Sequence, residues 1–174
     1  MPAISIVVLL VEHADLIKEC MTYYARRPTF NNENIEFVFV SFDCTESFLH
    51  DYFYPHYWAF ENRASFLKLP AATPAEEGLE KAIDTCDGEF VQVISAAMLL
   101  HEGWLAWAVE QFECLDIGAL EPSHINPSKV DSGAAPVRNK PAFPFFEREA
   151  GIVEPYAVDT SIYGYTLCGK LDEE

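Results

Sequence analysis

The chain has 174 residues, is 50% hydrophobic and 14% aromatic, and carries a formal net charge of −17. That length and apolar content suit one domain with a sizeable core and exclude a largely disordered chain. The charge excludes nucleic acid and anionic membrane surfaces as natural partners. The same charge repels a nucleoside diphosphate unless a metal or a local basic cluster screens it.

No apolar run reaches the roughly 18 residues of a membrane span, so membrane insertion is not expected. The early run 4–11 is short and has no basic flank, which argues against a signal peptide. Five cysteines (Cys20, Cys44, Cys86, Cys114 and Cys168) are an odd number without CxxC spacing. They point away from a disulfide framework or a zinc centre and toward a reducing, cytoplasmic compartment.

In chain order, the nearly unbroken apolar run 4–11 predicts a central strand covered on both faces. Residues 14–26 carry Leu16, Ile17, Cys20, Met21 and Tyr24 at helical spacing, one apolar stripe beside Lys18 and Glu19. After the turn at 31–34, residues 35–42 read as a second strand. Strand, helix and strand in that order imply a right-handed crossover and parallel pairing.

Residues 43–62 are dense in aromatics that either line a groove or wrap a helix against the sheet; core packing is the ordinary outcome. A short strand is expected at 65–69. Thr73-Pro74 predicts a helix start, with Thr73 as N-cap, Pro74 in the first turn, and Glu76 and Glu77 at the positive end of the dipole. Leu79, Ala82 and Ile83 form its inward stripe. Asp87-Gly88 turns into a strand at 90–94, a helix follows at 103–114, and a strand at 117–120. Residues 122–144, with five prolines, read as a long surface loop. Late strands are expected at 152–158 and 161–167. The expected organisation is one domain over 1–174: a core at 1–121, a Pro-rich loop at 122–150 and C-terminal strands at 151–174.

Several stretches resemble family 2 glycosyltransferases, which are nucleotide-sugar transferases of the GT-A type. Leu16-Ile17-Lys18-Glu19-Cys20-Met21 is similar to the Leu-Leu-x-x-Cys-Leu of the family's first helix. Leu9-Leu10-Val11-Glu12 stands where Pro-Thr-Tyr-Asn is the family pattern. Val40-Ser41-Phe42-Asp43-Cys44-Thr45-Glu46 stands where the family has Val-Asp-Asp-Gly-Ser-Thr-Asp, so Ser41 takes the place of the aspartate that contacts base or ribose. Gly78 and Asp87-Gly88-Glu89-Phe90 match the family's Arg-Asn-x-Gly helix and Gly-Glu-Tyr entry, but Ala75-Glu76 replaces Arg-Asn. Leu99-Leu100-His101-Glu102-Gly103-Trp104-Leu105 resembles Leu-Leu-His-Pro-Gly-Trp-Leu. Just before it, Ser95-Ala96-Ala97 replaces Asp-x-Asp.

The resemblance covers roughly residues 4–121. Gly169-Lys170-Leu171-Asp172-Glu173 is faintly similar to a later Gly-Gly-Phe-Asp-Glu. It implies an α/β, Rossmann-like, mostly parallel twisted sheet. By position it implies Val11, Glu12, His13, Ser41, Asp43, Glu76, Ser95 and Ala97 as the ligand-facing residues. It places residue 174 close to or before the family's catalytic base and acceptor-binding helices, which implies apolar surface for another chain to cover.

Sugar transfer from a nucleoside diphosphate needs the leaving diphosphate stabilised, usually by a divalent ion on carboxylates. Ser95 and Ala97 supply none, so no metal, cofactor or catalytic residue is assigned. A metal-free clamp needs Arg or Lys, and Arg26, Arg27, Arg63 and Lys68 are the candidates beside their ordinary role as surface charges. His13 is a base, a diphosphate contact or a plain loop residue. His101, before a helix, suits a backbone contact, and His50 and His56 match no common metal spacing. Cys44, at a strand end, is either a nucleophile or an inert thiol.

Three readings remain. The first is a degenerate domain that binds a nucleotide, a nucleotide sugar or a protein. The second is a metal-independent transferase completed by a partner chain. The third is a purely structural interaction module. Self-association or protein docking through aromatics at 52–60 and 143–146 is expected.

Overall fold

A computed structural model describes residues 3–100, 103–114, 119–120 and 167–170. Strand β1 (Ile4–Leu9) leads into helix α1 (Ala14–Arg26) and strand β2 (Ile35–Ser41). A winding helical segment follows. It comprises α2 (Glu46–Phe48), a π-helical turn (Leu49–Phe53), α3 (Tyr54–Tyr57) and a 3-10 stretch (Trp58–Arg63). Strand β3 (Ala64–Lys68), helix α4 (Ala75–Ile83), strand β4 (Phe90–Ser95) and helix α5 (Trp104–Cys114) come next, then β5 (Ala119–Leu120) and β6 (Leu167–Lys170).

The sheet order is β3-β2-β1-β4-β6-β5. The first four strands are parallel, while β6 runs antiparallel to both β4 and β5. The chain is an α/β protein with a mostly parallel sheet, as its alternation of apolar runs and amphipathic helices implies.

Every residue of β1 and of β4 is buried, because helices cover both faces. Alternate side chains divide between two cores. Ile6, Val8 and Leu10 join Ile17, Met21 and Tyr24 of α1, Phe53 and Phe60 of the winding segment, and Trp104 and Ala108 of α5. Val7, Leu9, Val38 and Val40 pack on the opposite face with Leu69, just after β3, and with Ala82 of α4. At the strands' N-terminal end, Ser5 Oγ donates to Glu36 Oε1 and accepts the Gly88 N–H at 2.8 Å. A Cβ on Gly88 would lie 2.6 Å from the Ser5 backbone nitrogen, so only glycine admits this approach.

Two expectations change. Pro74, not Thr73, is the N-cap of α4. It holds extended angles (φ −56°, ψ 144°) while its carbonyl accepts the first helical bond, from the Gly78 N–H at 2.9 Å. Thr73 instead closes a turn onto the Pro70 carbonyl, consistent with the bias of a pre-proline residue away from helical angles. The inward face of α4 is centred on Gly78 and Ala82, with Leu79 and Ile83 only half-buried. The late strand expected at 161–167 is described only from Leu167, in β6. The expected strand at 152–158 and the loop at 122–144 lie outside the described residues.

Among the aromatics of residues 46–63, Phe48, Phe53 and Phe60 are buried and Tyr54 and Tyr57 pack partly against them. Trp58 is 75% exposed and Tyr52 44% exposed. This stretch therefore divides between core and surface.

Candidate functional site

In an open parallel sheet, ligands bind beyond the carboxyl ends of the strands, where the connecting loops diverge. The register makes those ends level. Val40 of β2, Leu9 of β1 and Ser95 of β4 lie in one row, with Leu67 of β3 beside Val40. The bonds Leu10 N–H to Val40 O, Ala96 N–H to Leu9 O and Leu69 N–H to Ser41 O, each 2.8 Å, carry the pairing one step further.

Beyond the β1 end, Val11 is half-buried, and Glu12 and His13 are exposed. His13 is the N-cap of α1, but its side chain makes no capping bond; its backbone carbonyl accepts the Ile17 N–H. Glu12 Oε1 accepts the Thr45 hydroxyl proton at 2.7 Å, tying the β1 loop to the β2 loop. Thr45 Oγ1 also accepts the Phe48 N–H at 3.3 Å and so caps α2. Thr45 carries no assignment from its place in the sequence, yet its spacing before Phe48 is that of a capping residue. Asp43 is exposed on the same loop.

Ser41 is fully buried, and its Oγ has no partner at hydrogen-bond geometry. Such an unpaired group costs about 1–3 kcal/mol unless water or a ligand meets it. Next on this loop is Cys44, whose thiol pKa is raised first by burial and further by the charges of Asp43 and Glu12, against the lowering pull of the Ser41 hydroxyl, second only to burial in size, and of Lys68. Its thiol is therefore protonated at neutral pH, which suits a packed side chain and not a nucleophile.

At the β4 end, Ser95 is fully buried and Ala97 is exposed. Ser95 Oγ accepts the Ala97 N–H at 3.2 Å, and the Ser95 carbonyl accepts the Met98 N–H at 2.9 Å. A buried neutral hydroxyl engaged in its own turn and a methyl group form a donor set that does not fit a hard divalent ion. Among the described residues, no three His, Cys, Asp or Glu side chains are grouped to hold a metal ion.

The basic candidates do not converge here. Arg26 ends α1 and Arg63 directly precedes β3, which puts both toward the opposite end of the sheet. Arg63 bonds the Phe30 carbonyl and Asn31 Oδ1, and Arg27 lies 5.2 Å from the Tyr23 ring centroid. Helix α1 carries the chain back along the strands, about 20 Å from their C-terminal ends, so its C-terminal arginines cannot serve the crevice. Lys68 does sit at a strand end, where it pairs with Glu46. Glu76 is exposed in the first turn of α4. His101 lies outside the described residues.

The solved structures with similar architecture include a mannosyltransferase from Pyrobaculum calidifontis in complex with GDP-Man and Mn2+, at TM-score 0.55 and 20% identity over 73% of this chain and 36% of that one. TarS from S. aureus with UDP-GlcNAc aligns at TM-score 0.54 and 16% identity, over 73% and 36%. The chain has the fold of GT-A-type nucleotide-sugar transferases. Glucosyl-3-phosphoglycerate synthase from Mycobacterium tuberculosis, in complex with Mn2+, UDP and glucosyl-3-phosphoglycerate, shares this GT-A fold at TM-score 0.52 and 14% identity, over 74% and 46%. The chain thus spans less than half the length of each of these structures. No protein-family model and no curated protein matches its sequence.

Proposed function

We propose that this GT-A-like domain binds a nucleotide or nucleotide sugar by its base and ribose in the crevice at the ends of β1, β2 and β4, with the diphosphate left toward solvent, where neither a metal at residues 95–97 nor a basic cluster among the described residues is needed to screen it. On this reading it acts as a binding or interaction module and not as a catalyst. The observation that carries it is the Ser95–Ala97 turn, where the hydroxyl is spent on the Ala97 N–H and no carboxylate stands. At the β2 end the buried Ser41 hydroxyl, with only the Cys44 thiol beside it, is the group that a ligand reaching under this loop would meet. Calorimetry with UDP, GDP, UDP-GlcNAc and GDP-mannose, with and without Mn2+, tests the reading. Binding of one nucleotide that Mn2+ does not strengthen, and no turnover, is the expected result. Metal-dependent affinity lost in Ser95→Ala, or release of UDP from the sugar, overturns it.

Association with a second copy or another protein goes with this role. The support is the exposure of Trp58 and Tyr52 on the winding segment, since aromatics are enriched in interface cores. Sedimentation of wild type and Trp58→Ser over a wide concentration range checks the self-associating form. A concentration-dependent dimer lost in the variant is expected, and a monomer at every concentration removes it.

A further inference from the structure

After Ser95 the chain leaves the sheet and runs back along α1, and two neighbouring tyrosines of that helix hold it. The Tyr24 hydroxyl accepts the Leu100 N–H at 2.9 Å and lies 3.4 Å from the Met98 carbonyl as donor. The Tyr23 hydroxyl donates to the Leu100 carbonyl at 2.7 Å. Both backbone groups of Leu100 are thus satisfied by side chains of one helix, where a strand neighbour would otherwise serve. The rings are themselves fixed. Tyr24 is fully buried, stands edge-on to Tyr23 at 5.1 Å and to Phe30 at 4.9 Å, and packs against Phe37.

We infer that Tyr23 and Tyr24 are positioning residues for the crevice: a clamp that fixes the path of residues 96–100 and so the place of Ala97 at the β4 end. At its near end the segment is tied to the sheet by the Ala96 N–H to Leu9 carbonyl bond and turned by the Ala97 N–H to Ser95 Oγ and Met98 N–H to Ser95 carbonyl bonds. Releasing Leu100 frees its distal end while leaving the sheet intact. The effect on ligand affinity rests on the nucleotide reading above; the effect on the segment does not.

Hydrogen exchange of the full chain, resolved by residue, in wild type, Tyr24→Phe and Tyr23→Phe tests the clamp, with UDP-GlcNAc titration alongside. Phenylalanine keeps the ring packing and removes only the hydroxyl. In Tyr24→Phe the Leu100 amide is expected to exchange about tenfold faster while the Leu10 amide, bonded within the sheet, keeps its protection. UDP-GlcNAc affinity is expected to fall about fivefold. Tyr23→Phe gives a smaller change in the same direction and serves if Tyr24→Phe does not fold. Unchanged Leu100 exchange, or equal loss at Leu100 and Leu10, overturns the clamp, the second outcome marking a purely core role. A freed Leu100 with unchanged affinity overturns its service to the crevice. Wild type that binds none of the four nucleotides sinks the functional reading alone, and exchange still decides the clamp.

Discussion

Gly78 of α4 faces the Phe42 ring so closely that a Cβ there would lie 2.1 Å from Phe42 Cε1 and 2.9 Å from Leu69 Cδ1. Two effects compete in Gly78→Ala. Helix propensity favours alanine by about 1 kcal/mol, whereas overpacking a buried contact costs about 1–3 kcal/mol. A distance of 2.1 Å lets the clash win, because Phe42 is itself 4% exposed and hemmed in. The urea midpoint should fall with an unchanged slope, and Phe42→Leu added to Gly78→Ala should recover part of the loss. A rise in the midpoint of the single variant would show that the ring moves aside freely.

Glu61 is the one non-glycine residue among those described with positive φ (53°, with ψ −128°). It interrupts the helical path just before Arg63, which fastens to the Phe30 carbonyl and Asn31. Strain of this kind costs about 1–3 kcal/mol, and glycine removes it for an entropic penalty of roughly 0.5–1 kcal/mol. Glu61→Gly should therefore stabilise by about 1 kcal/mol and raise the thermal midpoint by about 2–4 °C. A lower midpoint would mean that the Glu61 side chain compensates the strain.

The parts legible in the sequence were those governed by period and by local chemistry. Ile17, Cys20, Met21 and Tyr24 recur at helical spacing, and they are the buried face of α1. The nearly unbroken apolar run 4–11 marked β1 as doubly covered. Strand ends shifted by one or two residues, since Leu10 and Val11 are as apolar as the strand they follow. The Thr73 cap was misplaced because the local proline rule outweighs a good capping side chain. Invisible in sequence were the long-range bonds: Thr45 to Glu12, Arg63 to Asn31, and Tyr23 and Tyr24 to Leu100. Each joins residues 32 to 77 positions apart. No spacing rule reaches across that distance. The crevice is an expectation from strand order alone, while the arginines were misjudged because their nearness to the strand ends depended on which way α1 runs.

Burial sets the pH response. The Cys20 thiol is pushed up to about 12 by burial and then by Glu19, and the Cys86 thiol to about 12 by burial, with Glu36 and Asp87 adding to it. Folded values thus stand above the unfolded thiol value of about 8.5, so the folded state holds these protons more tightly. The associated stability is fully present below about pH 8.5 and is lost as pH rises from there toward 12. Tyr24, also raised by burial, acts in the same sense at the upper end. The urea midpoint should decline between about pH 8.5 and pH 10.5, and Cys20→Ala should flatten that decline. A flat or rising wild-type profile would contradict the burial of these groups. Residue-resolved alkylation should likewise find Cys20 and Cys86 slow at neutral pH.

Placing carboxylates at the β4 end separates scaffold from chemistry. Ala97 is exposed, so Ala97→Asp should change stability by no more than about 0.5 kcal/mol. Ser95 is fully buried, and Ser95→Asp places there a charge that no cation pairs, even where the new carboxylate keeps the Ala97 N–H. That should destabilise by about 3–5 kcal/mol. A divalent ion held between the two new carboxylates would offset much of this, because it pairs the buried charge. Thermal melts with Mn2+ plus UDP should therefore leave wild type unmoved and raise the midpoint of the Ser95→Asp/Ala97→Asp double variant. The single variants discriminate further: Ala97→Asp alone lacks the second ligand and should respond weakly. If wild type is itself stabilised by Mn2+ with UDP, the metal is held by other residues and the module is not metal-free. If the double variant folds but ignores the ion, the backbone between Ser95 and Met98 is itself not shaped for one.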